Sequence, residues 1–217
     1  MLVGHFGVAI AAKVVAPDLP LPALMLGTQA MDVVWGSLIL AKVEKVRIVP
    51  GFTATAPLDL YYMPYSHSLL SAVLISLAST ALLAAIVPGV SLFALGVFFA
   101  VCLSHWFLDF LVHIKDLPLI GNLYKVGLGL WNYRGASIAT EFGLLLGGSL
   151  LYYLAFGAAA DPFLLYAGLI SVSVMCAVQL SVFFGPTMSP SMMATTALVF
   201  YVISYGFGSW VDGLAGF

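Results

Sequence analysis

Apolar residues run nearly unbroken through seven stretches of the chain, at about 2–16, 21–41, 68–87, 91–113, 137–157, 162–184 and 191–211. All but the first are close to the roughly 20 residues a helix needs to cross a hydrocarbon core. The first is short and ends at Pro17-Asp18-Leu19-Pro20, where two prolines withdraw backbone donors and stop a helix. Val87-Pro88-Gly89-Val90-Ser91 predicts a tight turn between the third and fourth helices, and Gly147-Gly148 predicts a close approach of the fifth helix to a neighbour. The longest polar stretch, 42–66, holds Lys42, Glu44, Lys45, Arg47 and Asp59 and three prolines. It reads as a loop on the membrane surface with at most a short amphipathic piece. No internal repeat of the kind that marks many transporters is visible.

Composition strengthens this pattern. Of 217 residues, 63% are hydrophobic and 7% charged, against about one quarter charged in soluble domains. The expected fold is all-α, a polytopic transmembrane bundle of about seven helices forming one domain over 1–217. Residues of about 2–157 would carry the site, and the helices of about 162–211 would supply packing and lipid-facing surface. A formal charge of −2 without a basic cluster excludes nucleic-acid binding, which needs Lys and Arg against phosphates. Membrane lipids are the expected partners. Cys102 and Cys176 lie within apolar runs without the paired spacing of a redox or zinc motif, and read as buried packing residues. The first residues lack a basic leader and include His5, so Met1 is expected to remain in the mature protein.

Orientation follows from the basic residues. Six of seven fall in two places, Lys42, Lys45 and Arg47 after the second stretch and Lys115, Lys125 and Arg134 between the fourth and fifth. Two crossings separate these loops, so they share a side, expected to be cytoplasmic in a prokaryotic inner membrane.

The chemistry concentrates in Ser104-His105-Trp106-Phe107-Leu108-Asp109-Phe110-Leu111-Val112-His113. Steps of four residues advance a helical side chain by only about 40°, so His105, Asp109 and His113 share one face. Imidazoles and carboxylates together are ligands for zinc, iron or manganese. His5, Asp32, His67 and Glu141 all fall toward the same end of the predicted bundle. Helical rise places Asp32 and His105 roughly 12 Å inside the segment ends, with His5 and His67 near the surface. Plainer roles compete: His5 at an interface, Asp32 bonding a neighbouring helix, His67 in a helix cap beside Ser66, His113 and Asp116 solvated, and Glu141 paired with Arg134 or Lys125. His105 and Asp109, one turn apart within an apolar run, fit such roles least.

Gly4-His5, Asp32, Ser66-His67-Ser68 and Ser104-His105 with Asp109 resemble the YdjM-like family of inner-membrane putative metal-dependent hydrolases over about residues 4–113. That family's pattern has Gly-His near the start, then Pro-Asp-x-Asp-His, His-Arg-Gly-x-Thr-His-Ser and Ser-His-x-x-x-Asp. Here Gln29-Ala30-Met31-Asp32-Val33 and Tyr62-Met63-Pro64 replace parts of the second and third elements. The matched positions leave His5, Asp32, His67, His105 and Asp109 as the implied metal ligands, enough for one ion or a compact pair.

The resulting expectation is a membrane-embedded hydrolase with a divalent ion, zinc foremost, acting on a phospholipid or polyprenyl phosphate from the cytoplasmic side. Asp109, Asp32 and Glu141 are the candidates for acid–base work, and His113 and Glu141 for orienting ligands or moving protons. Lys115, Lys125 and Arg134 are the candidates for attracting an anionic headgroup. The alternatives are a metal or proton transporter using the same groups and a non-catalytic scaffold. Four histidines are too few for a di-iron histidine-box enzyme, the last stretch has no lysine for a retinal Schiff base, and no Gly-x-Ser-x-Gly elbow is present.

Overall fold

Serines and prolines punctuate the apolar stretches and set where α2, α4, α5 and α8 begin. The computed structural model describes residues 1–157 and 161–217, which form α1 (Val3–Val15), α2 (Leu21–Thr28), α3 (Ala30–Leu40), α4 (Leu69–Ile86), α5 (Leu92–Val112), α6 (Arg134–Phe156), α7 (Leu164–Phe184) and α8 (Pro190–Leu214). The hydroxyls of Ser68, Ser91 and Ser189 accept from the Ser71, Ala94 and Met192 amides and cap α4, α5 and α8. The all-α bundle expected from the sequence is the observed architecture.

Five helices, α4 to α8, are long and apolar enough to cross a membrane, and α2 with α3 makes a sixth span bent by 52° at Gln29. Their outward faces carry large apolar side chains such as Leu74, Leu82, Ile86, Phe93, Leu154 and Val202. Such a surface is matched to lipid, and the chain is an integral membrane protein.

The first helix is not a span. Thirteen residues reach only about 20 Å, and α1 is enclosed by the bundle, with both His5 and Lys13 buried. Its closest neighbour is α6, through two interlocking glycines. A Cβ on Gly7 would fall into the Leu144 backbone, and one on Gly148 into the Gly7 carbonyl, whereas Gly147 faces open space. At the far end Lys13 donates to the Leu19 carbonyl at 2.8 Å and pairs with Asp212 at 3.0 Å. Asp212 also accepts from the Leu21 amide, tying the α1–α2 turn to the end of α8.

The 42–66 stretch differs from expectation. It forms a hairpin of β1 (Lys45–Ile48) and β2 (Leu58–Tyr62), antiparallel, with Arg47 opposite and ion-paired to Asp59. Alternation explains it: Val46 and Leu60 turn inward while Arg47 and Tyr61 stay exposed. The hairpin docks on the segment between α5 and α6, where Lys125 and Asn122 donate to the Tyr61 carbonyl and Arg134 to the Ala54 carbonyl. The two basic loops therefore meet on one side of the bundle, as the charge pattern predicts.

The glycine contacts give contrasting expectations. Gly7→Val should cost about 1–3 kcal/mol or more through overpacking against α6, while Gly147→Ala should be neutral or stabilising by up to about 1 kcal/mol through helix propensity. Thermal unfolding of detergent-purified variants checks both; equal loss in the two would mean that the α1–α6 crossing is looser than these contacts require.

Candidate metal centre

Four elements bring ligand-type groups to one point. The α5 helix supplies His105 and Asp109 from adjacent turns, and His113 follows as its C-terminal cap residue. The indole of Trp106, on the same helix, donates to the His67 carbonyl at 3.0 Å. The segment after α5 then accepts the first amides of α4 on the carbonyls of Pro118 and Leu119. These bonds draw the start of α4 inward and carry His67 with it. The break between α2 and α3 frees the Thr28 carbonyl and starts α3 just before Asp32. His5 enters from the first turn of α1.

The result is a compact cluster. His67 Nε2 lies 3.3 Å from Asp32 Oδ1 and 3.5 Å from Asp109 Oδ2, and His105 Nε2 lies 3.7 and 3.2 Å from the same two atoms. His113 Nε2 stands 3.7 Å from Asp109 Oδ2. His5 Nε2 meets the other oxygen of Asp109 at 3.2 Å, and its ring stacks on His105 with centroids 3.8 Å apart. The Met1 nitrogen also contacts that oxygen, at 2.6 Å. The surface position expected for His5 and His67 is thus corrected: both are buried, because α1 lies inside the bundle and the hairpin and the α5–α6 segment cover the start of α4.

Hydrogen bonds on the far side of three of the four rings decide what the near side can do. His105 Nδ1 faces the Thr28 carbonyl at 2.7 Å and His113 Nδ1 faces Asp116 Oδ1 at 2.9 Å; both partners only accept, so both nitrogens carry a proton. His67 Nδ1 faces Ser66 Oγ at 2.7 Å. Ser66 gives its own proton to Glu44, whose carboxylate also holds the Tyr65 and Ser66 amides, so it must accept from His67. In the neutral rings the three Nε2 atoms are therefore bare lone pairs aimed at carboxylate oxygens. His105 Nε2 is buried without a hydrogen-bond partner among the described residues. Lone pairs at such separations repel unless a cation lies between them, either a proton or a metal ion.

The spacing suits an ion. Ligand bonds of about 2.0–2.1 Å in a tetrahedron set ligand atoms roughly 3.3 Å apart, and the separations of the His67 and His105 Nε2 atoms from the nearer oxygens of Asp32 and Asp109 run from 3.2 to 3.7 Å. Two overlapping groups, His5 with His105 and Asp109, and Asp32 with His67 and His105, could hold a metal ion. They share His105 Nε2, which can serve one ion at a time.

The remaining predicted residues take other places. Glu141 accepts from the Leu2 and Gly4 amides, at 2.7 Å for the latter, so it anchors the start of α1 beside the cluster and pairs with neither Arg134 nor Lys125. Gln29 and Gln179 complete that anchor by bonding the Leu2 carbonyl and the Val3 amide. Lys115 is exposed, while Lys125 and Arg134 hold the hairpin; none of the three lines the cavity beside the cluster. Tyr201 on α8 donates to Asp32 Oδ2 at 2.7 Å, so a helix expected to supply only packing positions a carboxylate of the cluster. Glu44, Tyr201 and Gln179 left no mark in the sequence, since each is distant in the chain from the residue it serves. Ser66 was visible beside His67, yet Ser68 is the cap and Ser66 the link to Glu44.

No family model, curated protein or solved structure matches the chain. The site stands on its geometry.

Two expectations follow. Glu44→Gln and Asp116→Asn should weaken metal affinity by about 10–100-fold by releasing the His67 and His113 rings, measured by competition with a chromogenic chelator. In the metal-free protein burial pulls the His67 imidazole down, but Asp109 and Asp32 outweigh it and hold the ring up at about 10. That pairing stabilises fully below the ordinary pKa near 6.5 and is lost as pH rises through about 10. A metal ion must expel the same proton, so affinity should rise with pH. Calorimetry in buffers of different ionisation enthalpy should register proton release at pH 7; affinity independent of pH would contradict it.

Proposed function

We propose that this integral membrane protein is a metal-dependent hydrolase of the YdjM-like kind, with zinc as its ion, acting on the phosphoester of a phospholipid or polyprenyl phosphate. The observation that carries the reading is the set of three imidazoles whose Nδ1 atoms are tied as donors and whose bare Nε2 atoms converge on two carboxylates. This is the arrangement by which histidines are oriented for zinc, and neutral nitrogen with oxygen donors suits zinc among the first-row ions.

His67, His105 and Asp32 would hold the ion and leave its fourth position to water, with Asp109 and His113 at its edge. Bound zinc would supply hydroxide near neutral pH and draw charge from a phosphoryl oxygen. Asp109 would accept the proton of the attacking water, and His5, at 3.2 Å from its Oδ1, would be the next acceptor. Tyr201 fixes Asp32 by its hydrogen bond. Glu141, engaged by α1 amides, would hold His5 in register. The cluster would face the cytoplasm, on the side of the two basic loops.

Elemental mass spectrometry of purified protein should find about one equivalent of zinc, lost from His105→Ala. Asp109→Asn should lower phosphoester turnover by about 10²–10⁴-fold. Absence of bound metal after reloading would overturn the reading, and stoichiometric metal without turnover of any phospholipid or polyprenyl phosphate would favour metal transport.

A further inference from the structure

The cluster opens into a cavity of about 170 Å³ that runs away from it between α7, α8 and the β-hairpin. Its inner end is formed by Asp32, His67, Asp109 and His113. Apart from Thr55, Glu141 and Gln179 the wall beyond them is mainly apolar, with Trp35, Leu60 and Trp131 on the hairpin side and Phe183, Met193 and Phe200 on the α7–α8 side. Ser181, Val182 and Thr196 belong both to this wall and to the outer surface of the bundle. The cavity therefore reaches the outside through the crevice between α7 and α8. Val182 lies two residues from the end of α7 and Thr196 six from the start of α8. At 1.5 Å per residue the mouth sits within about 10 Å of those helix ends, the depth at which lipid heads give way to chains.

We infer that the substrate is an amphiphile that comes from the bilayer through this crevice, with its phosphate at the metal cluster and the first carbons of one aliphatic tail in the cavity. The inference rests on the hydrolase reading and narrows its substrate class. The occupant follows from the two ends of one space: a cation site requires an anionic head, and an apolar wall open to lipid favours a chain over a soluble phosphate. Size limits it further. A cavity near 150 Å³ takes one benzene ring, so this one holds on the order of six carbons. The rest of the tail must lie between α7 and α8 or beyond them in lipid. Two acyl chains at the cluster do not fit.

The test uses full-length protein loaded with cobalt, whose visible spectrum reports ligands on the metal, and titrates ethyl-, butyl- and hexylphosphonate. Affinity should rise by up to roughly fourfold per added methylene. Ala197→Trp, on the cavity wall, should keep its cobalt and its ethylphosphonate affinity but lose the dependence on chain length. Thr196→Trp, at the exposed mouth, should do the same and covers the case in which the first variant fails to fold. Val199→Trp, on the lipid-facing side of α8, should behave as wild type. Ethylphosphonate binding with no chain-length dependence in the wild type would overturn the tail site while leaving the metal site intact. An undiminished dependence in both wall and mouth variants would overturn it as well. No phosphonate of any length perturbing bound cobalt would overturn the phosphoester reading itself, and the tail site with it.

Discussion

Two buried carboxylates ringed by imidazole nitrogens that, in their neutral form, have no proton to offer them are the constraint on which the remaining structure depends. Negative charge in a low-dielectric interior is expensive unless a cation is close. With the outer nitrogen of each of three rings tied to an acceptor, the inner nitrogens meet the carboxylates only through a proton or a metal ion between them. Those ties come from separate parts of the chain: the break after α2, the Glu44–Ser66 link before α4, and Asp116 after α5. The irregular segments of the fold are irregular where they supply these acceptors. An unbroken helix across Gln29 would have spent the Thr28 carbonyl on its own backbone.

The helices were legible because a span of apolar residues ended by Pro or Ser leaves few other structures open to it. The inward face of α5 was legible for the same reason, since His105 and Asp109 are polar where lipid or core permits nothing polar without a partner. The depth of His5 and His67 was not. Counting residues from a segment end assumes that every helix starts at the membrane surface, and α1 and α4 start beneath a cover of hairpin and loop. The hairpin escaped because four residues of alternation within a polar stretch are a weak signal, and its docking surface lies some 60 to 80 residues away in the chain.

Residues that support the cluster were the least legible. Tyr201 in α8 looks like one more aromatic in an aromatic helix, and Glu44 like one more charge in a charged loop. Both are defined by a partner elsewhere, which periodicity cannot reveal. The resemblance of the first half of the chain identified residues that do converge, and it contains none of the later groups that orient them. Where Pro-Asp-x-Asp-His would stand, Gln29 instead secures α1, so the departure is occupied by a structural bond.

The anchoring of α1 has a consequence for biosynthesis. His5 leaves the ribosome long before Glu141 and Gln179, which hold it in place through the start of α1, and Asp32 in the same cluster awaits Tyr201. At about 5–20 residues per second, the 196 residues between His5 and Tyr201 take roughly 10–40 s to make. During that interval α1 gains the partners of its polar end one at a time, Gln29 first and Glu141 and Gln179 much later, and it is too short to rest across the bilayer by itself. The cluster is therefore closed last, by α7 and α8, which carry none of its histidines or aspartates.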